Sequence, residues 1–230
     1  MNYTKPTYIA FFATAFISLI VAIFFEKIDL LYVYPLTFVT ASIVYLTEKK
    51  QTTNILFLIA LALALSSGVL LIIGFGQYVP EVSILVSLFY IIYLRLMYLK
   101  NKKMKTTFKM YLRLLLIFLP VFYIYDRVIC LIYSEIEEVF VYFAVMAIFM
   151  LLYIIAALYY YLRNKNQSNL WMLITAANLG IMNIIVSINE LYIYERMFTV
   201  TAIFCSNFML FFSLKFMMED DTNTLSNDVV

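Results

Sequence analysis

Histidine is absent from this 230-residue sequence, and cysteine, proline and glycine are scarce. Histidine is the commonest general base and the commonest metal ligand, so its absence excludes the usual imidazole-based sites. Cys130 and Cys205 show neither metal-ligand nor disulfide-framework spacing, and we expect both to be packing residues. The sequence also contains no phosphate-binding loop, nucleophile elbow or metal signature. We therefore expect no metal, no cofactor and no nucleic-acid partner.

Charge is also scarce, at 13% of residues against about 25% in an ordinary soluble domain, whereas 65% of residues are hydrophobic. A soluble chain of this length could not bury so much apolar surface, but a lipid bilayer accepts it. We predict an all-α, multi-pass membrane protein with one transmembrane domain over residues 1–218. Eight apolar runs are long enough to span, at residues 8–25, 30–46, 55–75, 80–99, 109–133, 139–162, 170–188 and 198–216.

The longest polar interruption is a basic stretch over residues 100–109. Seven of the 16 basic residues lie between Arg95 and Arg113. Basic residues next to a span are retained in the cytoplasm, so this loop is expected to be cytoplasmic and to join halves 1–100 and 108–218. Eight spans with both termini inside place 13 of the 16 basic residues on that side. We expect insertion in the cytoplasmic (inner) membrane, with a polar, disordered tail over residues 219–230.

The two halves resemble each other in the order of their features. In each half a basic inner loop precedes a span with small or polar residues at its middle, which are Ser66, Ser67 and Gly68 in one and Asn178, Gly180 and Asn183 in the other. A short outer turn and an aromatic-rich span follow. An even number of spans per half predicts two parallel four-helix repeats, related by an axis along the membrane normal.

The strongest candidate for a polar site lies on the seventh span. Asn183, Ser187 and Glu190 are spaced i, i+4 and i+7, which places them on one face of a helix. Polar groups inside a membrane mark functional sites, but Asn and Ser also bond neighbouring helices, and Glu190 could simply meet water at the outer interface. Because no charged group lies at the middle of the membrane, the packing interpretation is favoured. Ser67 and Gly68 allow the same two interpretations, a site or a close helix contact.

Asp126 and Arg127 follow the apolar run that contains Pro120. They could form a buried functional pair, or they could reach the outer interface with their charged ends. Their position at the end of an apolar run favours the interface.

Several short stretches resemble those of a known family. Tyr34-Pro35-Leu36 resembles a Lys-Pro-Leu motif, and Ser67-Gly68-Val69-Leu70-Leu71 resembles Gly-Asp-x-x-Leu. Residues 139–150 resemble the sixth helix of that family. Residues 178–189 resemble the stretch in which the family has Ser-Asp followed by an apolar run. Over about residues 31–217, the chain resembles the YhhN family, eight-helix membrane proteins related to lysoplasmalogenases. The resemblance implies that fold, vinyl-ether hydrolysis as the activity, and a lysophospholipid held among the helices.

The polar residues of that family are replaced in this chain. Its lysine falls on Tyr34, its two aspartates on Gly68 and Asn183, and its histidine on Phe89 or Tyr90. Protonating a vinyl ether requires an acid, and glycine, amide and phenol groups are poor substitutes at neutral pH. Whether the chain is an enzyme therefore stays open. The candidate site comprises these replaced positions together with the stripe on the seventh span: Tyr34, Ser67, Gly68, Tyr90, Asn183, Ser187 and Glu190.

Three functions follow from these observations. The resemblance favours a membrane protein that binds or processes a lysolipid inside its helical bundle. A non-catalytic scaffold or subunit, with partners on the cytoplasmic loops, is the alternative from another class. A small-solute transporter is the third, and it is disfavoured because no charged residue marks the middle of a span.

Overall fold

The computed structural model describes residues 5–49, 53–101 and 108–219, without the side chains of residues 108–111. The expected disordered tail beyond residue 219 and the middle of the basic loop therefore lie outside the described residues. Within the described ranges the chain is helical and contains no strand. Its α-helices are α1 (Pro6–Phe24), α2 (Leu30–Glu48), α3 (Ile55–Gly74), α4 (Val79–Lys100), α5 (Phe108–Ile136), α6 (Phe140–Arg163), α7 (Gln167–Leu191) and α8 (Arg196–Met218).

Seven helical segments in this part of the chain are long and apolar enough to cross a membrane. Six of them each correspond to one α-helix. The remaining one, fifth in chain order, is the 52-residue segment Leu112–Arg163, which contains most of α5, the 3₁₀ turn Glu137–Val139 and α6. The predicted all-helical, multi-pass character is therefore confirmed.

Local sequence signals account for several helix ends. Pro6 opens α1, where its missing N–H group costs nothing because the first N–H groups of a helix have no partner within it. Asn54 and Asn166 cap α3 and α7, because their side-chain oxygens accept hydrogen bonds from the N–H groups of Leu56 and Asn169 at 3.0 and 2.7 Å. Such caps satisfy N–H groups that would otherwise be exposed at the helix ends.

Six of the helices form a closed ring. Going round it, α2 packs on α3, α3 on α4, α4 on α6, α6 on α7, α7 on α8 and α8 on α2. The helices α1 and α5 lie outside the ring, α1 against α2 and α8, and α5 against α6 and α7. The bundle has a basic-loop end, where α4 ends at Lys100, and a far end, where the turn Phe75–Gln77 joins α3 to α4.

The interior nearer the basic-loop end is filled by aromatic side chains. Tyr90 stacks on Tyr153 with ring centroids 5.4 Å apart, and Phe89 lies 4.6 Å from Tyr93. Phe57 meets Tyr93 edge-on at 6.4 Å. All five side chains are buried, and rings in these offset and edge-on arrangements pack favourably. This half of the bundle is therefore a packed core.

From residue 112 onward, the buried side chains of helix α5 all lie in its second half, and they are Tyr125, Val128, Ile132 and Ile136. Most of the large apolar side chains of its first half are exposed: Leu112, Leu115, Leu116, Ile117, Leu119 and Phe122. In a bilayer these side chains meet lipid, which is as apolar as they are.

The structure bears on two expectations about polar or reactive side chains, of which one agrees with it and one does not. Asp126 and Arg127 are both exposed, so they do not form a buried functional pair. Arg127 instead lies over the ring of Tyr123, 5.1 Å from its centroid. Cys205 is buried as expected, but Cys130 is exposed, so the expectation that it is a packing residue is wrong. Hydrophobicity alone does not distinguish the lipid-facing side of α5 from its packed side.

Candidate functional site

A cavity of about 80 Å³ lies inside the ring of helices. Side chains from α2, α3, α4, α6, α7 and α8 line it, together with Phe75 from the turn at the far end. Six of the seven site residues predicted from the sequence are among the lining residues: Tyr34, Ser67, Gly68, Tyr90, Asn183 and Ser187. The structure thus brings together residues that come from four helices and are separated by up to 153 positions in the chain.

The cavity occupies the half of the bundle near the far end. On α7 it is lined from Leu179 to Ser187, which lies four residues before the end of that helix. At a rise of about 1.5 Å per residue, Ser187 is about 6 Å and Asn183 about 12 Å from the end of α7. The polar groups that α7 contributes therefore lie in the half of that helix nearer the far end.

Tyr34 forms one wall of the cavity by bridging α3 and α8. Its hydroxyl oxygen lies 3.3 Å from Oγ of Ser206, within hydrogen-bonding distance. Its ring rests directly on Gly68, where an added Cβ would lie only 2.5 Å from the Cε1 and hydroxyl oxygen of Tyr34. Any larger residue at position 68 would therefore force the Tyr34 ring to shift.

Asn183 and Tyr90 form the opposite wall. The Asn183 amide Nδ2 donates to the Tyr90 hydroxyl and to the carbonyl of Leu179, both at 2.8 Å. The first bond joins α7 to α4, so Asn183 links two helices and also lines the cavity. The two interpretations of this residue, packing contact and site residue, are therefore compatible.

The remaining polar lining consists of serine hydroxyls. Ser67 donates to the carbonyl of Ala64 at 3.0 Å, within its own helix, and Ser187 is buried at 5% exposure. None of the described residues that line the cavity carries a charge; the rest of the lining is aliphatic, aromatic, methionine or alanine. These groups can hold a ligand by neutral hydrogen bonds, but they supply no general acid or base that works at neutral pH.

Glu190, the seventh predicted site residue, is not part of the cavity lining. Its Oε2 lies 2.6 Å from Nζ of Lys27, in the turn between α1 and α2, and its Oε1 accepts from Asn189 at 3.2 Å. The two charged side chains are only 17% and 10% exposed. Glu190 therefore fastens α7 to the α1–α2 turn, one helical turn beyond Ser187.

Two residues of this region were not identified from the sequence. Ser206 could have been found by the criterion used for the seventh span, because it is a polar residue inside an apolar run. Lys27 gave no such signal, since its partner lies 163 positions away.

Comparison of the chain with protein-family models, curated proteins and solved structures finds no match. Across the residues that the structure describes, no group of three or more His, Cys, Asp or Glu side chains is placed to hold a metal ion.

Proposed function

We propose that this chain is an eight-span membrane protein, built from two parallel four-helix halves, that binds a lysolipid in its central cavity without hydrolysing it. The main observation is that neutral polar side chains of five separate helices converge on one cavity in an otherwise apolar bundle. Polar groups are costly inside a membrane, which favours a use for them beyond packing.

Eight crossings are supported by the geometry of the 52-residue segment. As one straight helix it would be about 78 Å long, far more than the ~30 Å hydrocarbon core of a bilayer. The 3₁₀ turn Glu137–Val139 divides it, and α5 and α6 pack on each other. Tyr125 of α5 donates to the sulfur of Met150 of α6. Tyr125 lies eleven residues before the end of α5, and Met150 lies ten residues after the start of α6, so the two are almost equally far from the turn. That pairing is expected of an antiparallel hairpin that crosses the membrane twice.

Two parallel repeats are supported by the order of helices in the ring. The order is α2, α3, α4, α6, α7, α8 and back to α2. Advancing each of these six helices by four places replaces α2, α3 and α4 with α6, α7 and α8 and leaves the order in the ring unchanged. The two outer helices do not follow the same shift, since α1 packs on α2 and α8 whereas α5 packs on α6 and α7. Gly68 on α3 and Asn183 on α7, which come from corresponding spans of the two halves, both line the cavity.

The topology is tested by cysteine labelling in a background in which Cys130 and Cys205 are replaced by serine. With eight spans and a cytoplasmic basic loop, Glu137→Cys should react in intact cells with a membrane-impermeant maleimide, because that turn is on the outer side. Lys103→Cys should react only after the cells are permeabilised.

Seven crossings would give a different pattern. If α6 were the only crossing of this segment, the turn at Glu137 would lie on the same side of the membrane as the basic loop. Protection of Glu137→Cys in intact cells would therefore contradict the eight-span topology. Permeabilised cells provide the control that both cysteines are reactive.

A lysolipid ligand is supported by the positions that the YhhN resemblance singles out. Positions 34, 68, 90 and 183 lie on four different helices, and all four line the same cavity. The replacements are also sterically linked, since the Tyr34 ring fills the space that a side chain at position 68 would need. The cavity is thus suited to a lipid while lacking the acid that hydrolysis requires.

Purified protein should release no aldehyde from lysoplasmalogen above the level of mock-purified membranes, because none of the described residues that line the cavity is a carboxylic acid. Aldehyde release is followed with a coupled dehydrogenase. Robust turnover that is lost in Asn183→Ala but kept in Asn178→Ala would overturn this proposal. Asn178 is a suitable control because its amide donates only along its own helix, to the carbonyl of Ile174 at 2.8 Å, and it does not line the cavity.

The two other functions have less support. A scaffold with partners on the basic loop depends on a segment whose middle lies outside the described residues. A transporter for charged solutes would need charged groups along its path, and the described lining of the cavity is neutral.

A further inference from the structure

We infer that the cavity accepts the uncharged, hydroxyl-bearing head of a neutral single-chain lipid, such as a monoacylglycerol, in preference to the phosphate-bearing head of a lysophospholipid. This inference rests on the proposed function, since it names the class of lysolipid that the same cavity binds. The family resemblance implies a lysophospholipid, whereas this inference assigns a single-chain lipid that has no phosphate.

The hydrogen-bonding groups of the cavity match hydroxyl groups. Tyr34 and Ser206 present a pair of hydroxyls on one wall, and Tyr90 presents a third beside the Asn183 amide on the other. A hydroxyl both donates and accepts, and so does each hydroxyl of a glycerol head. The two walls can therefore exchange hydrogen bonds with a ligand that has two or more neighbouring hydroxyls.

A phosphate has the opposite requirements. It carries a negative charge and has acceptor oxygens, so its burial is strongly unfavourable unless a cation or several N–H donors surround it. The described residues that line the cavity include no cation. Phenol and serine hydroxyls alone do not compensate for removing such a charge from water.

The lysine at the far end does not meet this requirement either. Lys27 is in contact with Glu190 at 2.6 Å, and this pair lies one helical turn beyond Ser187. If Lys27 turned to a phosphate, Glu190 would be left nearly buried and unpaired, which is costly. The pair as it stands carries no net charge.

The cavity has room for only part of a lipid. Its volume of about 80 Å³ is roughly half that of an engineered cavity of ~150 Å³ that binds benzene. It therefore holds a few heavy atoms of a head, and the rest of a single-chain lipid lies outside it.

The inference is tested by competition between lipids that share one oleoyl chain. Purified protein in nanodiscs binds a fluorescent single-chain lipid, which is displaced by monooleoylglycerol, oleoyl lysophosphatidylcholine or oleoyl lysophosphatidic acid. We expect monooleoylglycerol to compete at least about ten-fold more strongly than either phospholipid. Ser206→Ala and Tyr34→Phe, which remove hydroxyls with little change in shape, should each reduce this preference, and Asn178→Ala should leave it unchanged.

The possible failures are distinguishable. Equal competition by all three lipids, or stronger competition by a phospholipid, overturns this inference and leaves the proposed lysolipid site standing. No saturable binding of any single-chain lipid by protein that keeps its thermal unfolding transition overturns both. A preference for monooleoylglycerol that persists unchanged in Ser206→Ala and Tyr34→Phe also overturns the inference, because the cavity hydroxyls would not be its cause.

Discussion

Gly68→Ala should destabilise the protein by about 2 kcal/mol, within the range that overpacking a tight interior costs. The new Cβ would lie 2.5 Å from two atoms of the Tyr34 side chain and 2.8 Å from a third. The ring cannot move away freely, because it packs on Phe38 at 5.0 Å and is bonded to Ser206. The free energy of unfolding, measured by titration with a denaturing detergent, gives the size of the effect.

A double-mutant cycle tests whether the Tyr34 ring is the cause. In a Tyr34→Ala background the obstacle is gone, and alanine is favoured over glycine within a helix by about 0.5–1 kcal/mol. The effect of Gly68→Ala should therefore change sign in that background. Gly76→Ala is the matched control, since an added Cβ there meets nothing within 4 Å. An equal loss of stability with and without the Tyr34 ring would show that the contact with this ring is not what requires glycine.

Lys27→Met should destabilise the protein by about 3 kcal/mol, at the lower end of the cost of breaking a buried ion pair. It leaves the Glu190 carboxylate, whose side chain is only 10% exposed, without its cation. The pair Lys5–Glu48, at 2.8 Å, provides the comparison, because its lysine side chain is 48% exposed. Lys5→Met should cost less than about 1 kcal/mol, as is usual for a pair open to solvent.

Exchanging the charges separates the ion pair from the packing of its side chains. Lys27→Glu alone places two carboxylates together and should be more damaging than Lys27→Met. Combining it with Glu190→Lys restores opposite charges and should recover much of the lost stability. A cost for Lys27→Met no larger than that for Lys5→Met would show that the turn between α1 and α2 is not held to α7 by this pair.

The sequence alone determined that the chain is helical, that it is suited to a membrane, and where its helices begin and end. Each predicted span matches an α-helix of the structure to within about three residues at either end. This was possible because hydrophobicity over a window of about 20 residues, together with polar caps and prolines, is a local property that needs no knowledge of neighbours. The polar positions inside spans, such as Ser67 and Asn183, were visible for the same reason.

Only the tertiary structure decided which of these positions meet. Helical spacing placed Glu190 on the same face as Asn183, but seven residues carry it about 10 Å along the helix, out of the cavity and to Lys27. The contacts of Tyr34 with Gly68 and Ser206 depend on α2 lying between α3 and α8. The order of helices in the ring is a property of packing between whole helices, and periodicity along one helix shows which face is polar but not which helix lies opposite it.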